Sequence, residues 1–573
     1  MGHLDRKNRS DQYLLLAALF LAVLLRFFKL GVNPLTDNEA RLALQALEIA
    51  KGNVPVLYAH PGYILLTALN FFLLGAGNFL ARFWPALAGA SLVLFPIAFY
   101  KQLGRTGAIL LAFALAIDPG LIATSRVAGD QMMALGFLAM FISSMLIRQN
   151  KLAGIMAGLA LLSGPSIWFG LLGIGITLGL LKLRKGKGSQ TEFKVSGYPV
   201  GSLKTITYWG IGTLVLVGTL CFLVLNGLSA WADSLTVFIK WFFSSVPSQG
   251  WHLLPTLLVY EPILLLFGLI ALVLAFLRND QRMINIAILS FVFLLMASVN
   301  PSHRSGDLVW FILPFWVLAV LGLTQIIEGL VGYITKRVES WLVAGIIFAF
   351  LVFLSLNLKA VPEVLGINNQ IFQSRIMLIA GALALLVLVI FLVSAVWDEK
   401  IAQSGLIIAG LTALTLYTIS AGISAAGIKT RDYNEIWQAS PQFTEADLLV
   451  ETIEGLTQWQ VGQRQELTIT VLSDMDYPSL LWILRDFNIE QTGSLPLDSS
   501  PELVIHSQEN ELALSDQYRQ QDFEIGRRPV FSGLLWEGWL RWAIARIVPH
   551  DSNHLVLSVR SDLLPVTDDG NGK

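Results

Sequence analysis

Apolar residues recur along most of the chain in stretches long enough to cross a bilayer, which takes about 20 residues of helix. The longest stretches cover 12–30, 83–100, 206–226, 255–276, 283–299, 308–331, 340–357, 376–396 and 403–423. Shorter stretches cover 106–118, 131–147, 152–164 and 167–181. This pattern predicts a polytopic α-helical membrane protein with about 13 transmembrane helices.

One further apolar run, residues 61–77, decides the topology. If it is left out of the membrane and the N-terminus is cytoplasmic, the inside loops carry 18 Lys and Arg residues and the outside loops carry 8. Treating 61–77 as a span would move 15 of those 18 to the outside, against the positive-inside rule. We therefore predict that 61–77 lies flat on the outer surface of the cell membrane.

The first outer segment contains a short amphipathic helix with a well-marked start. Thr36 and Glu39 have the spacing of a capping box. Arg41, Gln45 and Glu48 fall on one face of this helix, and apolar residues fall on the opposite face. We expect the helix to lie parallel to the membrane plane.

The hydrophobic pattern changes after residue 428. Residues 1–428 read as a transmembrane domain, and 429–573 alternate between strand and helix patterns. The latter predict a soluble α/β domain, which the topology above places outside the membrane. Its predicted helices cover 444–457 and 476–486, and its predicted strands cover 467–473, 501–507 and 554–560.

Composition and charge support this division. Hydrophobic residues make up 55% of the 573 positions and charged residues 14%, against about 25% charged in average soluble chains. The net charge of −1 is the sum of +11 in residues 1–428 and −12 in residues 429–573. A soluble globule, a disordered chain and a basic nucleic-acid binder are excluded. The single cysteine, Cys221, excludes a disulfide framework and cysteine-based metal sites.

Ionisable residues cluster at the predicted outer ends of the spans. They are Asp37, Glu39, His60, Asp118, Arg126, Asp130, Glu261, His303, Arg304 and Asp307. Ionisable groups in or near a membrane are costly and usually functional. Carboxylates beside Arg and His suit a site that binds a phosphate and removes a proton from a hydroxyl.

Structural roles remain open at the same positions. Glu39 could only close the capping box. Arg126 and Asp130 are four residues apart and could be a simple pair on a helix face. Helix-end, interfacial or solvated-loop roles are open for Asp37, His60, His303 and Arg304.

Three segments in order carry a family resemblance. They are DNEARLALQALEIAKG, HPGYILLTALNFFLLGAGNFLARFWPALAGASLVLFPIAFYKQLGR and SRVAGDQ. Residues 12–330 resemble the membrane glycosyltransferases of the C superfamily, in particular family 39, with the protein O-mannosyltransferases and lipid A aminoarabinose transferase. GWHLLPTLLVYEPILLLFGLIA, YPSLLWILRDFNIEQ and PELVIHS are similar to its flippase-activity-associated branch.

The resemblance implies a thirteen-span fold with flat outer helices and transfer of a sugar from a polyprenyl-phosphate donor. The acceptor would be a hydroxyl of a protein, a lipid or a glycan. Membrane lipid would be a further partner, and no nucleic acid is expected to bind. Asp37 or Glu39 would be catalytic, taking the proton of that hydroxyl. The substrate-binding candidates are His60, Arg126, Asp130, Glu261, His303 and Arg304. No cofactor is certain, and a divalent metal could be held by Asp37, Asp130 and His60.

The sequence departs from the family at two places. The family opens its first outer helix with adjacent Asp and Glu, but here Asn38 precedes Glu39 and the acid Asp37 stands one position earlier. A family lysine is replaced within Ser163-Gly164-Pro165-Ser166. The alternative hypothesis is therefore a non-catalytic accessory or transport protein for lipid-linked glycans. A third, weaker hypothesis is an oligosaccharide transferase.

Cysteine accessibility tests the predicted topology. With Cys221 replaced, Gln190→Cys should resist an impermeant thiol reagent in intact cells because the 182–204 loop is basic and cytoplasmic. Asp562→Cys should react under the same conditions. Labelling at position 190 would contradict the topology.

Overall fold

The computed structural model describes most of the chain. The described residues are 2–185, 200–243, 253–301, 304–364, 369–428, 434–438, 443–460, 467–472, 477–495, 500–508 and 517–564. His303 and most of the basic loop at 182–204 lie outside them.

The structure is mostly helical. The helices before residue 428 are α1 (Gly2–Phe27), α2 (Asp37–Ala50), α3 (Pro61–Leu74), α4 (Asn78–Ala81), α5 (Phe83–Ser91), α6 (Phe95–Ala98), α7 (Tyr100–Ile117), α8 (Pro119–Ser125), α9 (Gln131–Leu146), α10 (Asn150–Leu162), α11 (Pro165–Lys185), α12 (Val200–Gly218), α13 (Asn226–Trp241), α14 (Leu253–Tyr260), α15 (Pro262–Leu277), α16 (Gln281–Val299), α17 (Val309–Lys336), α18 (Val338–Lys359), α19 (Val361–Val364), α20 (Asn369–Val396) and α21 (Glu399–Ala425). Short 3₁₀ turns cover Leu92–Leu94, Ser305–Leu308, Ile436–Gln438 and Ser561–Leu563.

The polytopic helical fold is confirmed, but the count of thirteen spans is not. Seven helices of the described chain are long and apolar enough to cross a membrane, or nine if two bent helix pairs each count as one span. Four shorter apolar segments, which include α3, fall below that length. The outer position of α3 stays a prediction.

Three of the predicted long spans are interrupted. Residues 255–276 form α14 and α15, which meet at 96° at Glu261, where Pro262 begins the second helix. Residues 83–100 are broken by a 3₁₀ turn before Pro96. The helix predicted over 206–226 ends at Gly218, because Leu220, Cys221 and Phe222 have positive φ. Proline and left-handed residues end helices that the hydrophobic pattern alone would continue.

The C-terminal part forms a small mixed sheet with three further helices. Its helices are α22 (Ala446–Gln460), α23 (Pro478–Ile483) and α24 (Trp536–Ala545), and its strands are β1 (Thr468–Leu472), β2 (Asn488–Thr492), β3 (Leu503–Ser507), β4 (Tyr518–Pro529) and β5 (His550–Arg560). The strand order is β2-β1-β3-β5-β4. β1 is parallel to β2 and β3, and β5 is antiparallel to β3 and β4.

The predicted α/β pattern of this part is confirmed, and two strands are added to it. β1, β3 and β5 carry runs of buried apolar residues, which is why the sequence predicts them. β2 and most of β4 are exposed or half-buried at the two edges of the sheet, so their sequences carry little apolar signal. The boundary of this domain at residue 429 stays a prediction.

Glycines bring α10 and α12 into backbone contact. Gly154 and Gly158 are one turn apart on α10, and a Cβ built on them would lie 2.6 Å from the Ile206 carbonyl oxygen and 2.8 Å from the Gly210 carbonyl oxygen. Small residues four apart allow this close approach of helices in membranes.

Gly154→Ala should therefore lower the melting temperature, because the added methyl group meets backbone that has to shift. Gly212→Ala on α12 is the matched control, since a Cβ there has no heavy atom within 4 Å. Thermal melting of both variants in detergent checks this, and an unchanged Gly154→Ala would refute the close packing.

Candidate active site

A cavity of about 570 Å³ opens at the end of the helical part that faces the C-terminal sheet domain. Its polar walls come from the start of α2, the loop before α3, and the loops before α9 and α17. The polar residues on them are Thr36, Asn38, Arg41, Tyr58, His60, Asp130, Gln131, Arg304 and Ser305. Ile436, Trp437 and Phe531 of the C-terminal part complete the wall.

Glu39 is buried beside this cavity rather than on its wall. Only 1% of its side chain is exposed, and it pairs with Arg82 at 2.7 Å. Its Oε1 accepts hydrogen bonds from Arg82 Nε (2.8 Å) and the Ala128 N–H (2.8 Å). Its Oε2 accepts from Arg82 at 2.7 Å and from the Thr36 N–H and hydroxyl at 3.0 and 3.2 Å. The capping box predicted at Thr36 and Glu39 is present.

The ionisation state of Glu39 follows from these contacts. Burial opposes its ionisation, but the charge of Arg82 and the hydrogen bonds from Arg82, Ala128 and Thr36 outweigh burial and lower the pKa of Glu39 below its usual value. The carboxylate is charged and fully engaged at neutral pH.

Arg82, like Arg41 on the cavity wall, is absent from the predicted site residues. Besides Glu39 it donates to the carbonyl oxygens of Leu30 (3.2 Å), Asn33 (2.8 Å) and Pro34 (2.9 Å). It thus holds the loop between α1 and α2 against the start of α5. The available signal was a single arginine between two apolar runs, since a cation there has to find a buried partner.

Asp37 and Asn38 point in different directions. Asp37 Oδ1 accepts hydrogen bonds from the Ser479 N–H (3.1 Å) and hydroxyl (2.6 Å) in α23 of the C-terminal part. Asn38 lies on the cavity wall, as does Arg41 one turn later. The structure therefore turns the amide, and neither Asp37 nor Glu39, toward the cavity.

His60 and Asp130 meet on the cavity wall. His60 Nδ1 is 3.7 Å from Asp130 Oδ1, with 20% and 3% of the two side chains exposed. Asp130 Oδ2 accepts a hydrogen bond from the Ser166 N–H at 2.7 Å, which fixes the carboxylate. Burial lowers the pKa of His60, Asp130 opposes this and Arg304 reinforces it, so the pKa falls below its usual value. The imidazole is neutral at pH 7 and able to accept a proton.

Arg126 is not brought to the cavity. Its guanidinium donates to the carbonyl oxygens of Arg26 (3.0 Å), Phe28 (2.8 Å) and Lys29 (3.1 Å) at the end of α1, and to Ala426 (3.0 Å) at the end of α21. Burial and the nearby Arg82 lower the pKa of Arg126 to about 10, which leaves it charged at neutral pH. Its contacts join two helix ends.

Arg304 stands on the cavity wall above an aromatic ring. Its guanidinium carbon is 3.9 Å from the ring centroid of Trp241. This distance is typical of a cation–π contact, which orients the guanidinium while leaving its edge available for an anion. Of the predicted pair His303 and Arg304, only Arg304 lies within the described residues.

Glu261 lies in the helical interior, away from the cavity wall. It is fully buried at the bend between α14 and α15, and its Oε1 accepts from the Gly120 N–H at 3.1 Å. Asp118 lies at the other bent pair, where it accepts from Trp316 Nε1 at 2.6 Å and from the Leu121 N–H at 2.7 Å. These acids join the two helix breaks.

Two of the three predicted metal ligands lie side by side, and the third does not. His60 and Asp130 are adjacent, whereas Asp37 is engaged by Ser479. Among the residues that the structure describes, no three His, Cys, Asp or Glu side chains form a group able to hold a metal ion.

Comparisons with known proteins bear on the fold. No protein-family model matches the sequence, and no curated protein matches it. Two crystal structures of ArnT from Cupriavidus metallidurans match it at 15% identity, covering 96% of this chain and 98% of that chain. The TM-scores are 0.53 for the apo state and 0.54 for the complex with undecaprenyl phosphate. The chain has the ArnT fold.

This match confirms the fold that the resemblance implied, but not its count of thirteen spans or its flat outer helices. A crystal structure of the oligosaccharyltransferase from Archaeoglobus fulgidus in the apo form also matches, at 13% identity and a TM-score of 0.42. It covers 83% of this chain and 64% of that chain.

Glu39→Gln should destabilise the protein by about 3–5 kcal/mol, the usual result of removing one partner of a buried ion pair. Glutamine can still close the capping box but leaves the Arg82 charge without a counter-ion. Glu48→Gln, near the exposed end of the same helix, should change stability by less than about 0.5 kcal/mol. Thermal or denaturant unfolding in detergent measures both. Equal stability of Glu39→Gln and the parent would show that the pair contributes nothing.

Proposed function

We propose that this protein transfers a sugar from a polyprenyl-phosphate donor to an acceptor hydroxyl in the cavity, on the outer face of a membrane. The observation that carries the proposal is that two arginines, His60 and the adjacent Asp130 line one cavity of an ArnT fold. The ArnT structure with undecaprenyl phosphate supports a lipid-linked phosphate as the ligand class.

The donor phosphate is assigned to Arg41 and Arg304. Both line the cavity, and their guanidinium groups can bind phosphate oxygens in a fork. Stacking on Trp241 holds Arg304 in place before the ligand arrives. Positive charge near the bridging oxygen stabilises the lipid phosphate as it leaves.

The proton acceptor is assigned to His60. In the transfer, the acceptor oxygen attacks the anomeric carbon while the bond from that carbon to the phosphate oxygen breaks. The proton of the acceptor hydroxyl goes to His60, and the electron pair of the broken bond leaves on the polyprenyl phosphate. Asp130 beside Nδ1 stabilises the imidazolium that forms, so Nε2 is the nitrogen that takes the proton.

Glu39 has a different role in this proposal from the catalytic role that the resemblance implied. Five hydrogen bonds and a lowered pKa leave its carboxylate without a lone pair or a proton affinity suited to a general base. Glu39 instead fixes the start of α2, and hence the position of Asn38 and Arg41.

A second candidate function is binding or transport of a lipid-linked glycan without turnover. Its support is the amide at position 38. Asn38 lies on the cavity wall where the family pattern has an aspartate, and an amide cannot accept the acceptor proton.

His60→Gln separates the two functions. Glutamine keeps hydrogen-bonding groups but cannot act as a base, so transfer from a labelled polyprenyl-phosphate hexose to cell-envelope acceptors should fall about 10²- to 10⁴-fold. Melting and binding of the labelled donor should stay near the values of the parent. His554→Gln, on β5 of the sheet domain, is the matched control and should transfer normally.

Two results would revise the proposal. Near-normal turnover of His60→Gln would remove His60 as the base. Donor binding by the parent protein without turnover, across the acceptors tested, would favour the second function.

A further inference from the structure

We propose that Asp37 is a positioning residue through which the C-terminal sheet domain holds the first turn of α2. The inference rests on the proposed function, because α2 carries Asn38 and Arg41 into the cavity. It gives the C-terminal domain a part in the reaction, and it removes Asp37 as a substitute for the aspartate that the family has one position later.

The contact between Asp37 and Ser479 joins residues 442 positions apart. Ser479 lies in the first turn of α23, where backbone N–H groups lack partners within the helix. The N-cap residue of α23, Tyr477, makes no side-chain capping bond. The carboxylate of Asp37 caps α23 instead, because it accepts a hydrogen bond from the Ser479 N–H. It accepts a second hydrogen bond from the Ser479 hydroxyl.

A second contact one turn along α23 fixes the same face. Trp482 is 1% exposed, and its Nε1 donates to Asn78 Oδ1 at 2.7 Å. Its ring stacks on Phe71 of α3, with 5.7 Å between the ring centroids. Through Ser479 and Trp482, α23 thus contacts α2, α3 and α4.

The geometry of α2 separates the two neighbouring side chains. Successive residues of an α-helix point about 100° apart, so Asp37 can face α23 while Asn38 faces the cavity. Turning the Asp37 carboxylate into the cavity would require both bonds to Ser479 to break and the first turn of α2 to rotate.

The C-terminal domain therefore acts on the cavity in two ways. Phe531 closes part of its wall directly. Ser479 holds the start of α2, which carries Asn38 and Arg41 of the wall, through Asp37. Loosening this contact displaces Arg41 and Asn38 relative to His60, and a displacement of about 1 Å in an active site can reduce turnover about 100-fold.

Three variants distinguish positioning from proton transfer. Asp37→Asn keeps a side-chain oxygen that accepts from Ser479, so its turnover should stay within about threefold of the parent. Asp37→Ala loses the contact, and its turnover should fall about 10- to 100-fold. Ser479→Ala removes the hydroxyl donor from outside the cavity, and its turnover should fall in the same direction.

The double variant Asp37→Ala, Ser479→Ala should be no worse than Asp37→Ala alone, because both changes remove one contact. Asp486→Ala, an exposed acid just after α23, is the control and should transfer normally. If Asp37→Asn were as inactive as Asp37→Ala while Ser479→Ala kept full turnover, Asp37 would be the proton acceptor and the inference would be wrong.

Hydrogen exchange tests the contact without any turnover. Amides of 37–42 and 479–483 should exchange faster in Asp37→Ala than in the parent or in Asp37→Asn, when each protein is measured whole in detergent. Unchanged exchange in Asp37→Ala would overturn the inference. If the parent showed this exchange pattern but no sugar transfer, the contact would stand and the proposed function would fail.

Discussion

The buried ion pair between Glu39 and Arg82 is the interaction on which the candidate site depends. The carboxylate closes the capping box of α2 and binds the N–H of Ala128 in the loop before α9. The guanidinium binds carbonyl oxygens of the loop between α1 and α2. The ion pair therefore joins four segments that form or support the cavity wall: α2, the loop before α9, the loop between α1 and α2, and the start of α5. A buried pair of this kind is costly to form and costly to break, which suits a fixed geometry better than it suits added stability.

Two buried arginines donate hydrogen bonds to the irregular backbone at this end of the molecule. Where helices stop beside an apolar interior, their last carbonyl oxygens have no partner within the helix and little water to bind. Arg82 and Arg126 together supply donors to carbonyl oxygens of the α1–α2 loop and of the ends of α1 and α21. A planar group with five donors can satisfy several carbonyl oxygens at once, which a lysine ammonium cannot match in geometry. Arginines that suggest phosphate binding in a sequence can thus instead donate their hydrogen bonds to backbone carbonyl oxygens.

Hydrophobic periodicity predicted the membrane architecture, the amphipathic helix α2 and three of the five strands. It failed where a single residue stops a helix, as at Pro262, and where edge strands such as β2 carry no apolar run. Of the predicted site residues, the structure places His60, Asp130 and Arg304 on one cavity wall. The sequence could not tell which way a side chain points. Asp37 and Asn38 are neighbours in sequence, yet only contacts with residues hundreds of positions away decide which of them faces the cavity.

The cavity is built from both ends of the chain. Thr36 and His60 line it, and Trp437 and Phe531, about 400 to 500 residues later in the sequence, complete the wall. Chains fold from the N-terminus as they are made, so the helices enter the membrane with this wall missing. This part of the wall is missing until residues 436–531 have been synthesised and folded. A nascent chain consequently holds the arginines and the histidine of the cavity before Trp437 and Phe531 can cover them.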